Sequence, residues 1–384
     1  MIRSLYVHVP YCERKCEYCD FASVAGTRGH EEYVMALRGE LRMVAAALPG
    51  ITLDTLFVGG GTPGLLPPRL LQVIMDEVRS GFSISPGAEV TLEANPSSTT
   101  EDRAAAWLDA GFNRVSIGVQ SLDAAALRFL GRVHGPQRAV DAVGAVRHAG
   151  FEKVNTDLIY AIPGQSDERW RATLESVLDL GCGHLSCYEL TVEEGTPLHD
   201  AVAAGAIRPT DAETALRQHW LAVELAANAG LRQYEVSNFA RPGEECRHNL
   251  AYWRNQHYLA VGVGAHGHLP ASAAARLGLR HGAADDAVRY WHSREPTEYI
   301  AAVSAGNLPV DGAETVSALA GDEERIMVGL RLREGVTLAG GRRRHEAEQL
   351  ADAGLLVLDG DAVRATRRGQ EMLNELVVRL VEAG

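Results

Sequence analysis

Three cysteines, Cys12, Cys16 and Cys19, fall on one short segment in the pattern C-x3-C-x2-C. Thiolates at that spacing converge on a metal. Zinc sites that only hold structure are closed by four ligands, and no fourth ligand lies at pair spacing here; His8, His30 and the acidic neighbours are weak substitutes. A four-iron cluster on three thiolates leaves one iron without a protein ligand, able to bind a small molecule, and is the preferred reading over zinc. The other cysteines, Cys182, Cys187 and Cys246, are scattered and read as structural, and six in all are too sparse for a disulfide scaffold.

Further candidates sit at the ends of apolar runs. Gly59 to Pro63 spell GGGTP, a tight strand-to-helix turn in which glycine admits positive φ and close backbone approach. Glu93 in TLEANP, Gln120 in SIGVQS and Asp157 in DLIYAIPGQ can serve as helix caps or surface partners, and Arg132 in LGRVH as a solvated helix charge. Later in the chain, His248, Asn249, Tyr252 and Trp253 lie together in RHNLAYW. An imidazole can ligate iron and the two aromatics offer flat apolar faces, although a histidine beside aromatic residues is more often a packing element. His266 in GVGAHG and Cys246 are rival ligands.

The elements that must position these groups follow from the pattern. The chain has 384 residues, 46% apolar and 23% charged, enough to bury a large core. Six short apolar runs, LYVHV (5–9), TLFVG (55–59), EVTLEA (89–94), RVSIGV (114–119), KVNTDLIY (153–160) and HLSCYEL (184–190), read as strands of a parallel sheet covered on both faces. Between them, residues 30–47, 67–79, 100–109, 122–148 with a break near Gly135-Pro136, and 167–180 read as helices, with start signals at Pro67-Pro68 and Asp167. Six strand–helix units predict an α/β fold, a partial (β/α)6-type barrel, with an open doubly wound sheet as the alternative. A helix is expected over 211–228, then an irregular His-, Tyr- and Trp-rich region, and from about Asp322 a smaller helical, winged-helix-like domain. The formal charge of −13 works against phosphate backbones, so no nucleic-acid partner is expected. No run of about 20 apolar residues is present and no signal peptide is recognised, which gives no integral membrane segment and a cytoplasmic location.

The string LYVHVPYCERKCEYCDF resembles the signature of the radical S-adenosylmethionine superfamily, and GGGTP, TLEANP, SIGVQS, LGRVH and DLIYAIPGQ support the likeness in that order. The resemblance implies a [4Fe–4S] cluster on Cys12, Cys16 and Cys19, with S-adenosylmethionine chelated to the open iron. It places Gly61 and Thr62 against the cofactor's methionine end, Tyr6 near the cofactor, and Glu93, Gln120, Arg132 and Asp157 among the groups that grip a sulfonium, an amino group and ribose hydroxyls. It also implies one-electron cleavage of the cofactor, driven by an electron donor.

Within the superfamily the motifs resemble the branch holding oxygen-independent coproporphyrinogen III oxidase and the HemW haem chaperones. The oxidases carry a further cysteine two positions after the third, where this chain has Phe21, and an extension before the first strand. Both departures argue against decarboxylase activity and towards the chaperones, in which H-N-x-x-Y-W has been proposed to contact haem; here that motif is His248, Asn249, Tyr252 and Trp253. Two expectations stand: a chaperone that delivers haem to apo-haem proteins, respiratory enzymes among them, or a radical enzyme acting on a tetrapyrrole. The organisation expected is a radical SAM core over 1–232, a connecting region over 233–312 and a winged-helix-like domain over 313–384.

Overall fold

The computed structural model describes residues 1–279, 282–284, 286–338 and 340–384. Six parallel strands follow one another across one sheet: β1 (Ser4–Val9), β2 (Thr52–Gly60), β3 (Ser83–Ala94), β4 (Arg114–Gln120), β5 (Lys153–Tyr160) and β6 (His184–Glu189). The crossovers are helical: α1 (His30–Ala47), α2 (Pro68–Gly81), α3 (Glu101–Ala110), the pair α4 (Ala124–Phe129) and α5 (Pro136–His148), and α6 (Asp167–Leu178). Their ends are set locally. Thr100 and Ser166 accept the N–H of the third helical residue, Pro68 opens α2 at a position that needs no N–H, and Gly111 closes α3 with a left-handed φ of 100°.

After α7 (Pro197–Ala203) and α8 (Ala212–Asn228), the chain returns to the same sheet from both sides. Strands β7 (Arg232–Gln233) and β8 (Asn238–Ala240) join antiparallel beside β6, and β9 (Leu259–Val261) pairs parallel with β1, giving the order β9-β1-β2-β3-β4-β5-β6-β8-β7. The result is an α/β partial barrel with two free edges. A three-stranded antiparallel sheet of β10 (His266–Pro270), β11 (Ala287–His292) and β12 (Val310–Val316) packs beside it. The last part of the chain holds helices Ala318–Gly329 and Arg342–Asp352, a small sheet of Val336–Thr337, Ala362–Ala365 and Leu356–Asp359, and helix Leu373–Glu382 around its own core of Ile326, Leu350, Val363, Leu376 and Leu380.

The two faces of the barrel sheet differ in chemistry. Alternate residues Leu5, Val7, Leu56, Val58, Val90, Leu92, Val115, Ile117, Val154 and Leu185 are buried beneath the helices. Their neighbours Tyr6, His8, Glu93, Arg114, Ser116, Asn155, Asp157, His184 and Ser186 line a cavity on the concave side. The expectation of strands covered by apolar packing on both faces therefore holds for one face; the other is polar because a cavity lies over it.

A buried polar cluster ties the returning strand to the barrel. The Glu40 carboxylate on α1 lies 3.3 Å from His292 Nε2 and accepts from the Tyr299 hydroxyl and the Gly262 N–H at 2.9 Å. Breaking such a group on one side strands the remaining partners without water. Replacing Glu40 by Ala is expected to cost about 3–5 kcal/mol in urea unfolding; a loss below about 1 kcal/mol would show that this cluster does not hold β9 in place.

Candidate functional site

The segment after β1 carries the three cysteines and is closed at its base by a short parallel ladder, Tyr11–Cys12 against Val24–Ala25. Val24 N–H donates to Pro10 O at 2.7 Å and Gly26 N–H to Cys12 O at 2.8 Å, and the His8 ring reaches Ala22 O at 2.8 Å. These bonds fix the ends of a loop whose three thiols are unpaired and partly exposed. Burial pushes the Cys12 and Cys19 thiols up, and the negative charge of Cys16 opposes ionisation of both.

Arg132 offsets that cost. Its buried guanidinium donates to Cys16 Sγ at 3.4 Å, to Asn95 Oδ1 at 2.6 Å and to Gly118 O at 3.0 Å. Asn95 Nδ2 in turn donates to Thr62 Oγ1 at 2.8 Å, and the Thr62 hydroxyl points to Cys12 Sγ at 3.7 Å. A continuous chain thus runs from one cysteine to another through Arg132, Asn95 and Thr62. Asn95 was not among the residues singled out from the sequence, although it stands in TLEANP two places after Glu93.

The glycines of GGGTP are required by what they touch. Gly60 has a φ of 110°, and a Cβ there would lie 2.5 Å from the His8 ring; a Cβ on Gly61 would meet Tyr11 O at 2.8 Å. With Gly61 N–H donating to Val9 O and Thr62 N–H to Tyr11 O, the end of β2 lies against the base of the cysteine loop. Gln120, at the rim of β4, has a positive φ of 64° where the ladder to β5 loses register, strain that is characteristic of functional rims.

The concave cavity has a volume of about 480 Å³, within the range of roughly 300–1,000 Å³ that holds one small molecule. Tyr6, Glu93 and Asp157 line it; Gly61, Thr62, Gln120 and Arg132 lie outside its lining, on the cysteine side. Glu93 Oε2 accepts the Gly60 N–H at 3.0 Å, and burial together with the charge of Asp157 pushes its carboxyl up to about 8. Asp157 is also raised by burial, held against that by donors from Ser116 and Asn155 at 2.8 Å. Both buried carboxyls face the one cavity and hold their protons more tightly than usual.

The structure places the HNLAYW segment in the barrel's floor. It forms α9 (Arg247–Trp253), whose first N–H groups from Arg247 and His248 are accepted by the Glu89 carboxylate. His248, fully buried, bonds Thr55 Oγ1 through Nδ1 and the Tyr252 hydroxyl through Nε2, both at 2.8 Å, and packs on Phe57. Burial pushes this imidazole down to about 3, so it is neutral with both nitrogens engaged. Asn249 donates to Tyr234 and Glu235, and Trp253 does not line the cavity. Cys246 donates to Glu89 at 3.5 Å, and burial raises its thiol to about 12, which makes it a poor iron ligand.

The donor set of the loop suits a [4Fe–4S] cluster. Three thiols on one rigid loop, a guanidinium on one sulfur and a hydroxyl on another supply ligands, neutralising charge and sulfur hydrogen bonds. Among the described residues, no three His, Cys, Asp or Glu side chains converge tightly enough to grip a single ion.

Comparison with known proteins gives a consistent result. The radical SAM superfamily model matches residues 6–177. The chain is 38% identical over 381 residues to the haem chaperone HemW of Mycobacterium tuberculosis, covering 98% of this chain and 93% of that protein. It is 41% identical over 270 residues to HemW of Escherichia coli, 69% of each chain, and 34% identical over 397 residues to the mitochondrial radical S-adenosyl methionine domain-containing protein 1 of Bos taurus, 98% of this chain and 87% of that one. The solved structure of E. coli coproporphyrinogen III oxidase superposes with a TM-score of 0.80 at 20% identity, over 99% of this chain and 90% of that chain, which establishes a shared fold.

The raised carboxyl has a measurable consequence. Glu93 binds its proton more tightly folded than unfolded, so its contribution to stability is fully present below about 4.5 and lost as pH rises to about 8. In the absence of S-adenosylmethionine, the wild-type chain is expected to lose urea stability relative to Glu93→Gln across that interval. A stability difference independent of pH would contradict the placement of Glu93.

Proposed function

The chain belongs to the HemW family of the radical SAM superfamily, and we propose that it is a haem chaperone, binding haem and passing it to apo-haem proteins in the cytoplasm. In this reading Cys12, Cys16 and Cys19 hold a [4Fe–4S] cluster, and S-adenosylmethionine binds beside it, between the end of β2 and the Glu93 and Asp157 carboxyls inside the concave cavity.

Arg132 donates to the Cys16 sulfur and sets the position of the loop relative to β4. Gly61 and Thr62, just past the C-terminal end of β2, are the residues that the methionine end of the cofactor would approach. Glu93 and Asp157 face the sulfonium as carboxyls whose raised pKa a bound cation would lower, and Tyr6, bonded to His8 at 3.1 Å, forms the wall beside them. Gln120 presents an amide at the rim. When bound, a reduced cluster supplies one electron to the sulfonium, chemistry that belongs to the cofactor. The protein's share is to hold the thiolates, fix the cation and limit water access through a half-enclosed cavity.

The observation that carries the chaperone reading over the oxidase reading is Phe21. It stands two places after Cys19, where the oxidases have a cysteine, and it is 61% exposed on the lining of the cavity. An exposed phenylalanine beside the cluster loop offers a flat apolar contact for a macrocycle, whereas it offers no sulfur ligand.

Anaerobically reconstituted protein is expected to take up haem stoichiometrically, transfer it to an apo-acceptor and leave coproporphyrinogen III unchanged in the presence of reductant and S-adenosylmethionine. Substantial protoporphyrinogen formation would overturn the chaperone reading. Cys16→Ala is expected to lose the cluster's charge-transfer absorbance and bound sulfide, because one thiolate ligand is gone; full iron and sulfide content in that variant would refute the ligand assignment.

A further inference from the structure

We propose that His266 is the side chain that ligates the iron of bound haem, with the macrocycle seated at the cavity mouth against Phe21 and Tyr188. This rests on the haem-binding reading above and deepens it by naming the site.

Iron ligation needs a ring nitrogen with a free lone pair and a path for a large planar molecule to reach it. Four histidines line the cavity: His8, His184, His248 and His266. In three of them both nitrogens are already bonded. His8 contacts the Tyr6 hydroxyl at 3.1 Å and Ala22 O at 2.8 Å. His184 contacts Asn155 Oδ1 at 2.6 Å and the Tyr234 hydroxyl at 2.9 Å. His248 is held by Thr55 and Tyr252. All three are buried as well, so haem would have to open the barrel floor or break two hydrogen bonds to reach them.

His266 is different in each respect. It is exposed, and among the described residues neither of its nitrogens makes a hydrogen bond to protein. Its ring lies over Trp291, with centroids 6.2 Å apart and planes at 23°, so the imidazole has a preferred plane while its edge stays open.

The backbone that presents it is fixed. In the preceding turn, Gly262 N–H donates to Glu40, Val263 N–H to the Tyr33 hydroxyl and Gly264 N–H to Ser293 O. Gly264 has a φ of 64°, and a Cβ there would lie 2.4 Å from the Ala22 side chain, so the turn is pressed against the cysteine loop. His266 is thereby held at the same rim as Phe21. Partial burial and the charge of Arg294 lower its pKa, which favours the neutral, ligating form.

The rest of the mouth matches the cargo. Phe21 and Tyr188, 61% and 43% exposed, give apolar surface for the macrocycle. Arg294, on the same lining and 3.1 Å from Asp20, puts a guanidinium where the carboxylates of a tetrapyrrole can pair with it. An iron ligand, a flat apolar contact and a cation are the three groups that haem requires, and here they share one rim.

The test is an anaerobic hemin titration of the full chain, comparing wild type, His266→Ala, and His266→Gly with and without added imidazole, each checked for unchanged iron and sulfide content. Wild type is expected to show the absorbance bands of histidine-ligated haem. His266→Ala is expected to lose them and bind at least tenfold more weakly, and imidazole is expected to restore them in His266→Gly. Unchanged bands and affinity in His266→Ala overturn the assignment while leaving haem binding intact, and loss without recovery by imidazole overturns the ligand role. Failure of the wild-type chain to bind hemin overturns the haem reading itself, and this site with it.

Discussion

A guanidinium placed against a cysteine sulfur is the contact on which the candidate site depends. Burial opposes ionisation of the Cys12 and Cys19 thiols, and the proximity of Cys16 adds to that cost. Arg132 supplies the compensating charge, and its other hydrogen bonds, to Asn95 and Gly118, reference the loop to the ends of β3 and β4. Without that reference the cysteines would belong to a flexible connection. With it they belong to the rigid end of a parallel sheet, where an array of strands can deliver several side chains to one place.

The polar lining follows from the same architecture. A helical outer layer covers only one face of the barrel sheet, so the alternate positions are free to carry carboxyls, amides and imidazoles around a cavity. Their burial is tolerated because most are partnered, Asp157 by Ser116 and Asn155 and Glu93 by the Gly60 N–H. The floor is closed by α9, and the turn that follows it touches the C-terminal unit through Arg254–Glu334 and Asn255 to Gly321 O. The segment that looks most like a haem motif in sequence packs as α9 at the barrel floor with His248, Asn249 and Tyr252 on the cavity lining, while the exposed imidazole of His266 stands at the mouth.

Much of this was legible in the sequence because it is local. The cysteine spacing, the helix over 30–47, the break at Gly135-Pro136 and the six strands depend on neighbours in the chain, where period and start signals act directly. What was not legible depends on distant pairing. Leu259–Val261 joins β1 as a parallel strand across some 250 residues, a separation visible in the ladder register and in no local pattern. The alternation of Tyr6 and His8, Ser116 and Arg114, and Asn155 and Asp157 did carry a signal for the polar face, but it was masked by the apolar residues interleaved with it. The state of His248 could not be read from HNLAYW, since its partners include Thr55 on another strand.

Three thiolates fixed by Arg132 would leave one iron of a four-iron cluster without a protein ligand. Mössbauer spectroscopy of the anaerobically reconstituted chain, recorded before and after addition of S-adenosylmethionine, tests it most directly. One iron is expected to change its isomer shift on addition while three stay unchanged. Four equivalent irons that ignore the cofactor, or a preparation that holds zinc in place of iron, would contradict it.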